Sequence, residues 1–537
     1  MITEVQHLRR AWLIPCATAL AALMSEPRIY AQDKRSTVSS FEIEETTIDQ
    51  VHAAYKARRL TAHQLTQAYL DRIRAYDQQG PKINAIITLN PRALEEADKL
   101  DDQFRRSGFI GPLHGIPVLV KDEIDTAGMP TTLGSLVFKD YRPPLDAFVV
   151  ARLKKAGAII LGKTTLSEFA AGDTYSSLFG ATRNPYDLER TVGGSSGGSG
   201  AAVAANFSTV ALGEETVSSI RRPGAWNEIA AMRPTAGLVS RTGMYDGYPS
   251  EAASMGPMAR TVTDLAKLLD AMVGYDPEDP QTALGDGHTL GSYASSLDTA
   301  GLKGARIGIL RESIGFNSEP GSADFQKVDA AFGTNIAELK AAGAVLVDPV
   351  TIPNLKELLA KRAADVPTAD EALRLWLARN PASPMKSRAD IQNSPDVGRI
   401  FPPSRAEQWK RPANPPDLAK WGEYLAARQR LLINLLKVMA DNKLDAIVYK
   451  SVEHQPTFIK DGMNPPYITQ KGVPTLNTFL VYVPAITVPS GFTSDNLPVG
   501  ITFMGRPYND AEMVKLAYSY EQSTHHRKPP KTTPRLQ

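Results

Sequence analysis

Three short segments hold the residue types that nucleophilic chemistry needs. Lys121 closes the apolar run Ile116-Pro117-Val118-Leu119-Val120, Ser195 and Ser196 lie inside the glycine–serine stretch 193–200, and Ser218-Ser219 end the segment that begins at Gly213. A serine hydroxyl is a poor nucleophile without a base in contact. A lysine amine can be that base only after it sheds its proton. With an ordinary value of ~10.4, roughly one lysine in a thousand is neutral at about pH 7.4. Burial at a strand end disfavours the ammonium, so Lys121 is expected to have a lowered pKa, unless the carboxylates of Asp122 and Glu123 point inward and oppose it. Lys163, just past Ala158-Ile159-Ile160-Leu161, is a rival base.

The glycine–serine stretch, Gly193-Gly194-Ser195-Ser196-Gly197-Gly198-Ser199-Gly200, admits other uses. A phosphate-cradling loop needs Lys and then Ser or Thr after its last glycine, and Ala201-Ala202 follow here. A dinucleotide loop should follow an apolar strand, whereas Asn184–Arg190 precedes this one. Gly194-Ser195-Ser196-Gly197-Gly198 matches the G-x-S-x-G elbow centred on Ser196. That reading also lacks its strand and must draw a histidine from His288, His454, His525 or His526. Taken alone, the stretch reads as a small-residue run that lets a helix pack closely on a sheet. Ser383-Pro384-Met385-Lys386 matches S-x-x-K without its companion motifs and reads as chance.

Positioning such groups calls for strands that stop abruptly at polar residues. Ile116–Val120, Ala158–Leu161, Val210–Leu212, Ala305–Leu310, Ala446–Tyr449 and Ala485–Val488 are short apolar runs of that kind. Between them lie helical stretches; Leu65, Tyr69, Ile73 and Tyr76 recur at helical spacing after an N-cap residue, Thr61. This alternation predicts an α/β fold, a large mixed and mostly parallel sheet covered by helices on both faces. Chemistry belongs at the strand C-termini of such folds. The proline-rich region 381–417 reads as a surface excursion or lid within one domain spanning residues 45–525, and 526–537 as a C-terminal tail.

Composition narrows the function classes. Hydrophobic residues make up 42% and charged residues 22% of the 537, which excludes a disordered or collagen-like chain and a multi-span membrane protein. The net charge of +2 gives no electrostatic reason to expect nucleic acid as a partner. A single cysteine, Cys16, rules out a disulfide framework and a cysteine-based zinc site. Residues 1–31 read as a signal peptide: Arg9-Arg10 precede the apolar run Ala11–Met24, too short to span a bilayer, and cleavage is expected after Ala31. Residues 32–44 are an irregular lead-in. Secretion or periplasmic export is the expectation, with a cytoplasmic location as the alternative.

The three chemistry-bearing segments occur together as GIPVLVKD (115–122), GGSSGGSGAAVAA (193–205) and SSIRRPGA (218–225), and in this combination the chain resembles the amidase signature family. The resemblance continues through GPLHGIP, ILGKTTLSEFA, TRNP, GPMARTVTDLA, VPAITVPSG and LPVGITFMG, from about residue 45 to 525, and the peptide amidase branch looks nearest. It implies a Ser-Ser-Lys triad of Lys121 as base, Ser195 as the bridging serine after a cis peptide bond, and Ser219 as nucleophile; the spacing 219 − 195 = 24 selects Ser219 over Ser218. It implies an oxyanion hole of backbone N–H groups from Thr216, Val217, Ser218 and Ser219, an acyl-enzyme, and no metal or organic cofactor. The implied substrate is a small linear carboxamide, peptide amide or aryl amide, and the implied assembly a monomer or homodimer with no membrane span in the mature chain. Alternatives on the same scaffold are a carbamate or ester hydrolase, the A subunit of a tRNA amidotransferase, and an inactive binding homologue.

Four positions depart from the family pattern. Val217-Ser218 stand where glycine, or aspartate then glycine, precedes the nucleophile, and a β-branched residue there restricts the loop. Glu228 replaces a glycine and is expected to need a cation such as Arg221 or Arg222, while Arg233 replaces a lysine.

Overall fold

The computed structural model describes residues 41–363, 368–412 and 415–536; the expected signal peptide, its cleavage site and Cys16 lie outside these residues. Each of the six short apolar runs from Ile116–Val120 to Ala485–Val488 becomes a strand of one eleven-stranded sheet. Its strands are β1 (Ile86–Leu89), β2 (Pro117–Lys121), β3 (Ile159–Thr164), β4 (Val210–Glu215), β5 (Ala230–Arg233), β6 (Ser254–Ala259), β7 (Arg306–Ile309), β8 (Val345–Val347), β9 (Ala446–Lys450), β10 (Ala485–Phe492) and β11 (Pro498–Met504). Their spatial order is β1-β3-β2-β4-β6-β5-β10-β11-β9-β7-β8. Nearly all residues of the central strands are buried, so both faces are covered, as two-sided apolar strands require.

The sheet is mixed, as expected, but its parallel pairing is confined to two blocks, β3-β2-β4 and β9-β7-β8. The other six pairings are antiparallel. The parallel share is therefore smaller than the alternation of strands and helices suggests. The reason is local: β10 and β11 are joined by the short turn around Thr493–Leu497, and a hairpin leaves no room for a parallel crossover.

Helices begin where their caps predict. Thr61 caps Ala62–Arg72 with a full capping box, its side chain receiving the Gln64 N–H while the Gln64 side chain receives the Thr61 N–H. The buried face of that helix is Leu65, Tyr69 and Arg72, continued by Ile73. Among the described residues, no helix is long and apolar enough to cross a membrane.

The excursion starts earlier than its prolines. Helix Ala369–Ala378 turns Leu373, Trp376 and Leu377 inward, and these pack with Ile391, Val397, Ile400, Ala406 and Trp409 against Leu133, Val137, Phe138, Tyr141 and Phe169. It has its own apolar core on the loops beyond β2 and β3. The residues after 525 are no loose tail either. Arg527 binds both Glu45 oxygens, the Tyr186 hydroxyl and the carbonyls of Ala204 and Glu228.

Candidate active site

Lys121 is the last residue of β2, so the parallel ladder β3-β2-β4 delivers its side chain beside the end of β4. It is fully buried, and its Nζ donates to Ser195 Oγ at 2.6 Å and to Glu214 Oε2 at 2.8 Å. Glu123 Oε1 is equally close at 2.8 Å but off the hydrogen-bonding directions, so neither Glu123 oxygen is hydrogen bonded. The expected lowering of the Lys121 pKa is therefore reversed. Burial alone disfavours the ammonium, but the carboxylates of Glu123 and Glu214 outweigh it and hold the amine above its ordinary value. Burial drives the Glu123 carboxyl well above the usual carboxylate range, and the neighbouring Glu214 carboxylate adds to the rise against the pull of Lys121. Asp122 does not take part. Its carboxylate turns to the Thr132 N–H at 2.8 Å and lies 3.5 Å from Lys163.

The glycine–serine stretch approaches from the side of the Lys121 amine. The Gly194-Ser195 peptide is cis, as the resemblance implies. A Cβ on Gly194 would come 2.4 Å from the Gly172 carbonyl oxygen, and one on Gly198 would come 2.3 Å from Thr165 Oγ1 and 2.4 Å from its carbonyl oxygen, so neither position has room for a side chain. Arg222 fixes the Gly194 carbonyl, donating to it from Nε at 2.9 Å and to the Gly172 carbonyl at 2.7 Å, while its Nη1 pairs with Asp173 at 2.8 Å. Ser196 is spent on structure: its hydroxyl donates to the Glu214 carbonyl at 3.0 Å and receives the Glu214 N–H at 3.1 Å. That removes the centre of the elbow reading. His454, one of its nominated partners, is committed to Asp324 and to the Glu319 N–H.

Ser219 lies in the turn after β4, its carbonyl receiving the Ser196 N–H at 3.1 Å. The turn is pinned by Glu215. That carboxylate receives the Ile220 and Arg221 N–H groups at 3.0 Å, and Arg221 Nε and Nη2 at 2.9 and 2.8 Å. Among the described residues, the backbone N–H groups of Thr216, Val217, Ser218 and Ser219 donate to no protein acceptor. Val217 keeps ordinary negative φ and rests on the small apolar cluster of Ala225, Trp226, Val452 and Val473. The Ser218 hydroxyl is buried without a partner, while Ser219 keeps 9% of its surface accessible.

The turn from Thr216 to Ser219 lines a cavity of about 740 Å³, with Lys121 and Ser195 behind its wall. Buried Glu123, Glu214, Ser218, Ser219 and Arg222 line its inner part, and exposed residues of the excursion, among them Asp370, Glu407 and Arg411, its mouth. Lys163 does not reach it. Its amine is held by the carbonyls of Asp122 and Pro130 and by Thr131 Oγ1, and burial lowers its pKa. Glu228 is also absent from the lining, and the cations near it are Arg527 and Lys528, not Arg221 or Arg222. Arg233 donates to the carbonyls of Val481 and Ala252. Sequence reasoning passed over Glu214 and Glu215, though two adjacent acids ending a buried strand are a signal that something cationic must meet them.

The Amidase family model matches residues 64–514. The A subunit of a glutamyl-tRNA(Gln) amidotransferase from Chloroflexus aggregans is 36% identical over 503 residues, covering 91% of this chain and 99% of that one. A probable amidase from Arabidopsis thaliana is 32% identical, covering 92% of this chain and 93% of its own. Among solved structures, the native peptide amidase from Stenotrophomonas maltophilia superposes with a TM-score of 0.81 at 35% identity, covering 91% of this chain and 99% of that chain. The A subunit of the glutamyl-tRNA(Gln) amidotransferase from Thermotoga maritima superposes with a TM-score of 0.68 at 27% identity, over 91% and 98% of the two chains. With a buried lysine on a serine of a glycine-rich loop, a second serine facing the cavity beside them and a family match across most of its length, this chain belongs to the amidase family.

Proposed function

We propose that this protein hydrolyses a linear carbon–nitrogen bond of a small amide by way of an acyl-enzyme on Ser219. The observation that carries the reading is the 2.6 Å contact between Lys121 Nζ and Ser195 Oγ, made beside the turn that presents Ser219 to the cavity. In this reading Ser219 Oγ attacks the amide carbon, and its proton passes through Ser195 to Lys121. The oxyanion is received by the free N–H groups between Thr216 and Ser219, the kind of preorganised donor whose loss costs about 10²–10³ in rate. The proton then returns through Ser195 to the departing nitrogen, and water releases the acyl group by the same route. Charged residues around the cavity favour a polar substrate over a long apolar one, and the likeness to peptide amidase supports carboxamides and peptide amides.

The test is a panel of primary amides, peptide amides, aryl amides, carbamates and esters, with amine and acid release measured for the wild type and Ser219→Ala. Turnover of amides that the substitution abolishes is expected. Turnover surviving it would sink the reading, and faster turnover of carbamates or esters would redirect it. A serine-reactive fluorophosphonate separates an inactive homologue, which would fold yet leave Ser219 unlabelled.

The Chloroflexus relative favours a second reading, the A subunit of a tRNA amidotransferase. The higher TM-score to peptide amidase supports the first. Co-purification with the other chains of such a complex, and glutaminase activity only in their presence, would support the second. We also propose that residues 1–31 direct export, on the strength of Arg9-Arg10 and the apolar run after them. An intact Met1 on protein recovered from its native host would contradict this.

A further inference from the structure

The relay as drawn needs a neutral Lys121, and the site surrounds that amine with carboxylates. We propose that Glu214 is the proton store of the relay, taking a proton from the Lys121 ammonium when substrate seals the cavity and returning it once the acid product has left. This rests on the amide hydrolase reading above and acts on the reaction only through Lys121.

The geometry is specific. Glu214 Oε2 receives Lys121 Nζ at 2.8 Å, and its other oxygen receives Thr216 Oγ1 at 2.9 Å, so the carboxylate is held in place between the amine and the oxyanion turn. The Glu214 side chain is 4% exposed and lines the cavity, whereas Lys121 is sealed behind it. A bound substrate displaces the water that reaches this carboxylate. A buried ion pair stripped of water favours the neutral acid and the neutral amine, because neither charge retains its solvation.

The steps balance. The Lys121 Nζ–H bond breaks and the Glu214 Oε2–H bond forms, leaving a lone pair on Nζ. That lone pair takes the Ser195 proton, Ser195 takes the Ser219 proton, and Ser219 Oγ bonds to the amide carbon. On collapse the proton moves from Lys121 through Ser195 to the leaving nitrogen. Lys121 is again neutral, so water passes its proton through Ser195 to Lys121 as it attacks the acyl-enzyme, and that proton returns through Ser195 to Ser219 as the acid leaves. Glu214 then gives its proton back to Lys121, so no net proton is gained or lost.

Glu123 is the other nearby carboxylate, but it cannot serve. Its carboxyl lies 2.8 Å from Nζ without a hydrogen bond to it, and its side chain has no exposed surface whose water a substrate could displace. The remaining ionisable groups facing Glu214 are Asp246, which burial pushes up to about 7, and Arg233. Tyr245 and Lys163 face Glu123.

The experiment is the pH profile of kcat/KM for wild type and Glu214→Gln on the best amide found. Loss of the store is expected to cost about 100-fold or more near neutral pH. It is expected to move the acid limb upward by at least about one pH unit, with recovery only in the alkaline range where solvent deprotonates Lys121. That alkaline recovery itself shows the variant is folded. A limb that stays put, a limb that moves down with a gain in neutral activity, or no activity at any pH would overturn the proposal. So would a limb that follows Asp246→Asn instead. Should Glu214→Gln fail to fold, Glu214→Asp is expected to keep the wild-type limb at reduced kcat, and a displaced limb overturns the proposal. Wild-type turnover that Ser219→Ala does not remove strikes the underlying reading instead, so the two failures are distinct.

Discussion

The indole N–H of Trp376 donates to Asp125 Oδ2 at 3.1 Å, joining the excursion to the loop that follows Lys121. The second Asp125 oxygen is buried without a partner, and burial pushes this carboxyl up to about 7.

A carboxyl raised above its unfolded value binds more protons in the folded state. Its contribution is therefore full at low pH and is lost as pH rises from about 4 through 7. Asp125→Asn keeps an acceptor for Trp376 and removes the charge. It is expected to raise the melting temperature at about pH 8, by an effect on the order of 1 kcal/mol or more, and to change little at about pH 5. Thermal melts followed by tryptophan fluorescence at the two pH values check this; equal shifts at both would contradict it.

Arg222 holds together the Gly194 carbonyl, the Gly172 carbonyl and the Asp173 carboxylate. Replacing it with Met leaves a buried carboxylate without its cation, a loss of about 3–5 kcal/mol. Arg222→Lys keeps the charge but gives up the planar fork. Denaturant midpoints are expected to fall for both, further for Met. Activity is expected to fall for both as well, since Gly194 precedes Ser195.

Trp409 packs against Phe169 with the rings tilted and their centroids 4.8 Å apart, and carries the Arg388 guanidinium over its ring at 4.6 Å. Trp409→Ala opens the core of the excursion, where a large-to-small change costs about 3–5 kcal/mol. That cluster is separate from the core around the main sheet. Limited proteolysis is therefore expected to cut first between residues 369 and 416, with KM rising more than kcat falls. Uniform cleavage across the chain would count against an independently packed excursion.

The sequence made much of this architecture readable because its strongest signals are local. The apolar run into Lys121 and the cap at Thr61 each need only a few neighbouring residues to be interpreted, and both are where expected. What escaped depends on contacts between distant segments. Nothing near Glu228 in the chain announces Arg527, which lies 299 residues away. The prolines of the excursion attracted the boundary to 381, although Leu373, Trp376 and Leu377 already had the spacing of a buried helical face. The charge on Lys121 is half legible for the same reason: Glu123, two residues on, can be weighed against burial from one strand, but the second carboxylate, Glu214, comes from another, 93 residues on.

Arg72 illustrates what such distant contacts demand during synthesis. Its guanidinium sits in an early helix and donates to the carbonyls of Thr533 and Pro534 at 2.8 and 3.0 Å. Glu44 and the carbonyls of Ala205 and Asn206 meet it earlier, but until the ribosome has delivered those two residues this buried cation lacks the last of its acceptors. Premature termination near the 3′ end of the message would thus damage the first helical layer of the nascent protein, not just its last turn.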